Sequence, residues 1–393
     1  ADPVAAHTLG ASWTRVRLNW AHIQPENAGQ WIEADVSEAQ IDAELAAGRE
    51  VTALLIGIPA WARDDHNLPV GLYLPIENPD NAWAEFVRQA ATRYRGRITR
   101  WVVWNEPDVW DESHPGYTWH GSEADFVRLL KVTYLVIKDV DPEAMIHLGA
   151  FSHWWDALYG RELYFRRFLD VLVTDPDAQA HDYYFDAATL HLYFNPADVY
   201  GILAEYQAIQ AEYGLDKPFW LIETNAPPSS DPDRLVENPA FRVSLAEQAA
   251  YLPQAVALAR AAGAERVAVY KLLDTPGDIA ANPEPFGLVR PDGTYRPGLL
   301  TARVAADQLA EAHRVVDTES IAQVVAPAPD RVVRMLWSRT PETQQVDVPA
   351  LSQSAQLTDM WGNPQGTLLA EEGRYRLRLN GAECQETVAE YCM

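Results

Sequence analysis

The sequence predicts an α/β chain: a barrel of parallel strands followed by a small antiparallel β module. Three observations carry that reading. Over residues 10–300, short apolar runs alternate with amphipathic helical stretches, the pattern of parallel strands joined by crossover helices. Past residue 315 the helical stretches stop, and period-two strands follow one another. The length of 393 residues suits one such barrel with an appended module. The expected boundaries are a catalytic barrel over 1–314 and a β-sandwich-like module over 315–393.

The elements follow in order. "TRVRL" is the first strand. Ser37 with Gln40 makes a capping box, Ile41 and Leu45 share a face, and Gly48 ends the helix before the buried strand "VTALLIG". The next helix starts at Asp80 or Asn81 and sets Trp83, Val87, Ala90 and Tyr94 on one side, ahead of "WVVW". Ser122 with Asp125 opens a third helix, which carries Phe126, Leu129, Leu130, Thr133 and Ile137 and leads to "MIHLGAF". "FDAATLHLY", "KPFWLIET" and "RVAVYKLLD" complete seven strands, the last two preceded by helices ending at Gly214 and Gly263. "VVAPAPD" then reads as a connector. It leads to the strands "RVVRMLW", "QQVDV", "AQLTDMW" and "RYRLRLN", with "GNPQG" and "EEG" as turns.

Composition narrows the function. A formal charge of -25 repels phosphate backbones, and no Lys/Arg cluster offsets it, so nucleic acid is not an expected partner. The same field disfavours polyanions and suits neutral ligands. No apolar run is long enough to span a bilayer. No leader opens the sequence, so any export signal is expected to have been removed. The two cysteines, Cys384 and Cys392, lack zinc-site spacing. They form either one terminal disulfide or two unrelated thiols; the first choice places the protein outside the cell, secreted or at the cell surface. Neither metal nor cofactor is expected, and nothing bears on oligomeric state.

In a barrel of parallel strands, chemistry gathers at the strands' C-terminal ends. Glu106 ends "WVVWN" and Glu223 ends "FWLIE", so both carboxylates are expected at one rim. Such a pair can divide labour, one donating a proton to a leaving group while the other attacks or activates water. Helix caps or pairs with Arg would be the structural alternative for both.

The residues "RVRLNW", "WNEP", "HLY" and "LIET" resemble the clan A glycoside hydrolases, nearest in flavour to families 39 and 5, over most of residues 8–310. The resemblance implies a (β/α)8 TIM barrel, with Glu106 as acid/base after the fourth strand and Glu223 as nucleophile after the seventh. It implies that Asn105 bonds the sugar 2-hydroxyl, that Arg17 lies near the nucleophile, and that His191 and Tyr193 form the sixth-strand His-x-Tyr. His191 reads equally as a satisfied barrel histidine. "ADPVAAHTLGAS" looks like the helix after an absent first strand. Tyr270 and Lys271 stand where many relatives carry Trp.

Fourteen tryptophans are available to meet the apolar faces of sugar rings. Trp61, Trp110, Trp119, Trp154 and Trp155 fall in loops expected beside the rim, with "FSHWWD" the best platform. The expected activity is a retaining O-glycosidase on neutral, β-linked sugars, taking a glycoside, oligosaccharide or polysaccharide. Its carboxyls should lie about 5–5.5 Å apart. Two other classes stay open: a carbohydrate-binding pseudoenzyme, and a Schiff-base lyase built on Lys271.

Overall fold

A computed structural model describes residues 3–239, 241–309, 314–317, 321–328 and 331–382. The chain divides into two compact units, one of Ala11–His191 with Glu205–Trp220, the other of Ala1–Gly10, Leu192–Ala204 and Leu221–Met393. The boundary expected at residues 314 and 315 falls inside the second of these.

In the first unit four parallel strands lie in sequence order, β1 (Trp13–Asn19), β2 (Glu50–Ile56), β3 (Arg100–Asn105) and β4 (Met145–Ala150). β2 is buried at every position after Glu50, as a strand covered on both faces must be. Between the strands run the helices Glu38–Ala46, Ala82–Tyr94 and Glu123–Val140. Their starts lie where the sequence places them. Ser37 and Ser122 form complete capping boxes, and Asn81 accepts from Ala84 N at 3.0 Å. The core is aromatic: Trp20 stacks on Phe86 at 5.1 Å, and the buried Trp83 indole donates to Thr133 Oγ1 at 2.8 Å, which satisfies its one polar atom. β5 (Ala188–Tyr193) begins here, with Leu190 bridged to Phe151 beside β4.

The second unit holds the end of β5 and, from Leu221 onward, β6 (Phe219–Asn225). Thr224 bonds the Tyr251 hydroxyl of the helix Leu245–Ala261 at 2.7 Å, so alternation along the strand turns Glu223 to the opposite face. The strand expected over "RVAVYKLLD" shortens to Arg266–Val267. The chain beyond it still tracks β6 through Ala268 N to Leu221 O and Tyr270 N to Thr224 O. Asn225 Nδ2 then takes the Tyr270 and Phe286 carbonyls, both at 2.7 Å, doing with a side chain what a ladder does with backbone. A helix, Pro3–Leu9, precedes β1 in sequence, as expected from "ADPVAAHTLGAS". Glu106 and Glu223 therefore belong to the third and sixth strands of this chain, which preserves the three-strand spacing that the resemblance implies.

The terminal module is antiparallel. Arg314–Asp317, Ile321–Ala328 and Arg331–Ser338 form one sheet, and two further pairs join Gln344–Pro349 to Arg374–Leu379 and Ser354–Thr358 to Pro364–Leu369. Two expectations fail here. "VVAPAPD" is strand over its described residues 324–328, where Pro327 sits near the strand end and a missing N–H costs least. "GNPQG" contains the start of a strand. The turn lies earlier, where Asp359 Oδ1 accepts from Trp361 N and Asn363 N. Cys384 and Cys392 lie outside the described residues.

Candidate active site

Glu106 closes β3 on a strained backbone. Trp104 and Glu106 have φ of 71° and 46°, in the left-handed region that non-glycine residues occupy at a cost. Packing holds them there. The Trp104 ring is buried against Trp119 at 5.2 Å, its indole donates to Thr118 Oγ1 at 3.1 Å, and Glu106 N donates to Ala150 O at 3.0 Å. β4 yields at the same level, since a Cβ on Gly149 would stand 2.3 Å from Val103 O.

The Glu106 carboxyl is fixed through one oxygen. Arg15 donates to His191 Nε2 at 3.4 Å, and a guanidinium can only donate, so the imidazole proton sits on Nδ1 and is given to Glu106 Oε1 at 2.7 Å. His191 is thus a hydrogen-bonded partner of Glu106. A proton carried by Glu106 must then sit on Oε2, for which no hydrogen bond exists among the described residues. Arg17, which the resemblance sets near the nucleophile, stands two positions beyond Arg15 and is exposed. Alternation puts both on one strand face and leaves their depth unreadable.

Asp108 was not foreseen. It is buried, and its Oδ2 accepts from Ser152 N and Ser152 Oγ, both at 2.8 Å, which ties the loop after β3 to the residue after Phe151. Burial pushes its carboxyl up to about 7, and the neighbouring Glu106 charge adds to the rise. Its signal was in plain sight, two residues behind Glu106, but nothing local distinguishes a buried Asp from a turn Asp. Burial also takes His153 down to about 4.

Glu223 is buried in β6, and the Tyr193 hydroxyl donates to its Oε2 at 2.5 Å. Tyr193 in turn packs on Phe286 at 5.8 Å, and Phe286 on Tyr270 at 5.4 Å. Lys271 Nζ pairs with Asp278 Oδ1 at 2.9 Å, so the nitrogen that a Schiff-base lyase would use is engaged in an ion pair. Asn105 lies partly buried at the end of β3.

The tryptophans divide. Trp119 is 3 % exposed, so it belongs to the core and not to a platform. Trp61 is half-buried, its indole donating to Gln24 O at 2.6 Å and its ring set edge-on to Trp20. Trp154 packs on His153, while Trp155 and the exposed Trp110 meet edge-to-face at 5.8 Å. Of the side chains named, Glu106, His191 and Glu223 carry donor atoms that a metal ion could use. Each already engages a neighbour through a hydrogen bond.

No protein-family model matches the sequence, and no curated protein matches it. Solved structures do. A family 39 glycoside hydrolase from the gut symbiont Bacteroides cellulosilyticus aligns with a TM-score of 0.71 at 18% identity, covering 96% of this chain and 75% of that one. CelM2, a bifunctional glucanase-xylanase from a metagenome library, gives 0.63 at 12% over 97% and 93%. A monomeric β-xylosidase from Caulobacter crescentus gives 0.58 at 14% over 96% and 90%. The fold is therefore that of the TIM-barrel glycosidases, an α/β chain with parallel strands and a C-terminal antiparallel module.

Proposed function

We propose that the protein is a retaining O-glycosidase, with Glu106 as acid/base and Glu223 as nucleophile. One observation carries the reading: the partners of the two carboxylates, His191 and Tyr193, are alternate residues of the single strand β5. Alternate residues leave the same face of a strand about 7 Å apart. The three solved structures just described support a carbohydrate substrate, all being named as enzymes of that class.

The chemistry follows from the hydrogen bonds. Glu106 Oε2–H gives its proton to the glycosidic oxygen as the bond from that oxygen to the anomeric carbon breaks, while a Glu223 oxygen bonds the anomeric carbon. His191 retains its Nδ1 proton throughout and supports the carboxylate that Glu106 becomes. Tyr193 fixes the plane of the Glu223 carboxylate and stabilises it as it departs in the second step. There Glu106 takes a proton from water, the water oxygen bonds the anomeric carbon, and Glu223 is released. Asn105, as an uncharged donor, can strengthen its bond to a 2-hydroxyl as charge builds on the ring. The charge of -25 favours neutral sugars, and we assign β linkage by analogy with the named β-xylosidase.

A panel of nitrophenyl glycosides, with the product's anomeric configuration read by NMR, tests this. Hydrolysis of at least one neutral β-glycoside with retention is expected. An inverted product, or binding of sugars with no turnover of any of them, overturns it.

A further inference from the structure

We propose that the loops following β3 and β4 form the site for the leaving group, and that the group seated there is a second neutral pyranose. The proposal rests on the glycosidase reading, because the acid/base residue works on the leaving-group side and whatever flanks its proton-bearing oxygen flanks that group. The chain turns directly after Glu106, Val109 N donating to Glu106 O at 3.2 Å, and delivers Trp110 to the surface at 36% exposure. The Trp110 indole donates to Trp155 O at 2.5 Å. Its ring stands at 85° to Trp155 and 84° to Tyr159, while Trp155 and Tyr159 are parallel within 5°. Two aromatic planes thus meet at a right angle.

The same loop carries this corner to Glu106. The His114 ring packs on Trp155 at 4.8 Å, His114 Nδ1 accepts from Gly116 N at 3.0 Å, and a Cβ on Gly116 would lie 3.7 Å from Glu106 Oε2. Tyr159 is 61% exposed, more apolar ring than a surface ordinarily leaves beside an exposed Trp without a use for it. A pyranose fits both sides of the chemistry, its C–H face on the aromatic planes and its hydroxyls toward the exposed polar loop. Arg161 lies over the Trp110 ring at 5.0 Å but is paired with Asp156 at 3.2 Å, so with Asp111 and Glu112 the charge beside the corner is net acidic and repels a carboxylated ring.

The experiment compares Trp110→Ala and Tyr159→Ala with the parent on a disaccharide and on the glycosyl fluoride of the same sugar, whose leaving group cannot reach the corner. The loss in kcat/KM on the disaccharide should exceed the loss on the fluoride by about three- to tenfold per ring. Transfer of the glycosyl group to added sugar acceptors should fall in parallel. Tyr159 is exposed, so its removal leaves the fold intact and keeps the comparison interpretable. Equal losses on both substrates make the corner loop packing only and overturn the proposal. A larger loss on a nitrophenyl glycoside than on the disaccharide overturns the assignment to a sugar. A parent inactive on every fluoride and aryl glycoside removes the glycosidase reading itself, an outcome distinct from either.

Discussion

Asp108→Asn isolates one buried charge. The parent carboxyl is 3 % exposed, its Oδ2 is held by Ser152, and its Oδ1 meets no donor among the described residues. Burial, with a contribution from Glu106, raises it from an ordinary 3.8 to about 7. Between those values the unfolded chain has released the proton while the folded protein keeps it. Stability is therefore fully present below the unfolded value and declines as pH rises through the folded one. About three units at 1.36 kcal/mol each make the decline of order 4 kcal/mol. Asn keeps an acceptor for Ser152 and cannot ionise, so the variant escapes the decline. Urea unfolding of both proteins at several pH values between about 4 and 8 should show the variant gaining on the parent by roughly that amount across the range. A difference that stays constant with pH would refute the reasoning, since it would mean that Asp108 ionises as easily in the folded protein as in the unfolded chain.

Other outcomes follow from the same structure. Gly149→Ala forces a Cβ to within 2.3 Å of Val103 O, so thermal unfolding should register a loss of about 1–3 kcal/mol, with activity falling alongside as the end of β3 shifts. Arg296 is buried between Asp231 and Asp274, at 2.8 and 2.7 Å; Arg296→Leu leaves the buried Asp274 without its cation, while Asp231 keeps Arg290 at 3.0 Å, and should cost about 3–5 kcal/mol in denaturant melts. Mass spectrometry of unreduced peptides should recover Cys384 joined to Cys392, and free thiols in protein made under oxidising conditions would remove the argument for export.

The sequence made the scaffold legible where local chemistry and burial agree. Ser37, Asn81 and Ser122 mark helix starts because a cap is a contact over three residues, readable without the fold. β2 and β3 show as apolar runs because both faces are covered. Legibility failed where pairing is handed to side chains. Nothing in "RVAVYKLLD" reveals that Asn225 takes its Tyr270 carbonyl, nor does "GNPQG" show that Asp359 makes the turn upstream. At the site, strand ends singled out Glu106 and Glu223, and the resemblance, not periodicity, singled out His191 and Tyr193. Period two cannot rank Arg15 against Arg17, because it gives the face and not the depth. Trp119 misled for the complementary reason: a loop position says nothing about whether its ring turns inward, and this one packs on Trp104 and Phe126.

The division of labour between the two glutamates is tested most directly by Glu106→Ala acting on a dinitrophenyl β-glycoside in the presence of azide. The first step needs no proton donor for so acidic a leaving group, so it should persist, whereas alkyl glycosides should lose about 10² to 10⁴ in rate. Deglycosylation then limits turnover, azide should restore it by attacking without a base, and the product should be the β-azide, with the labelled intermediate mapping to Glu223. An α-azide from Glu106→Ala, or turnover surviving in Glu223→Ala, would contradict the assignment.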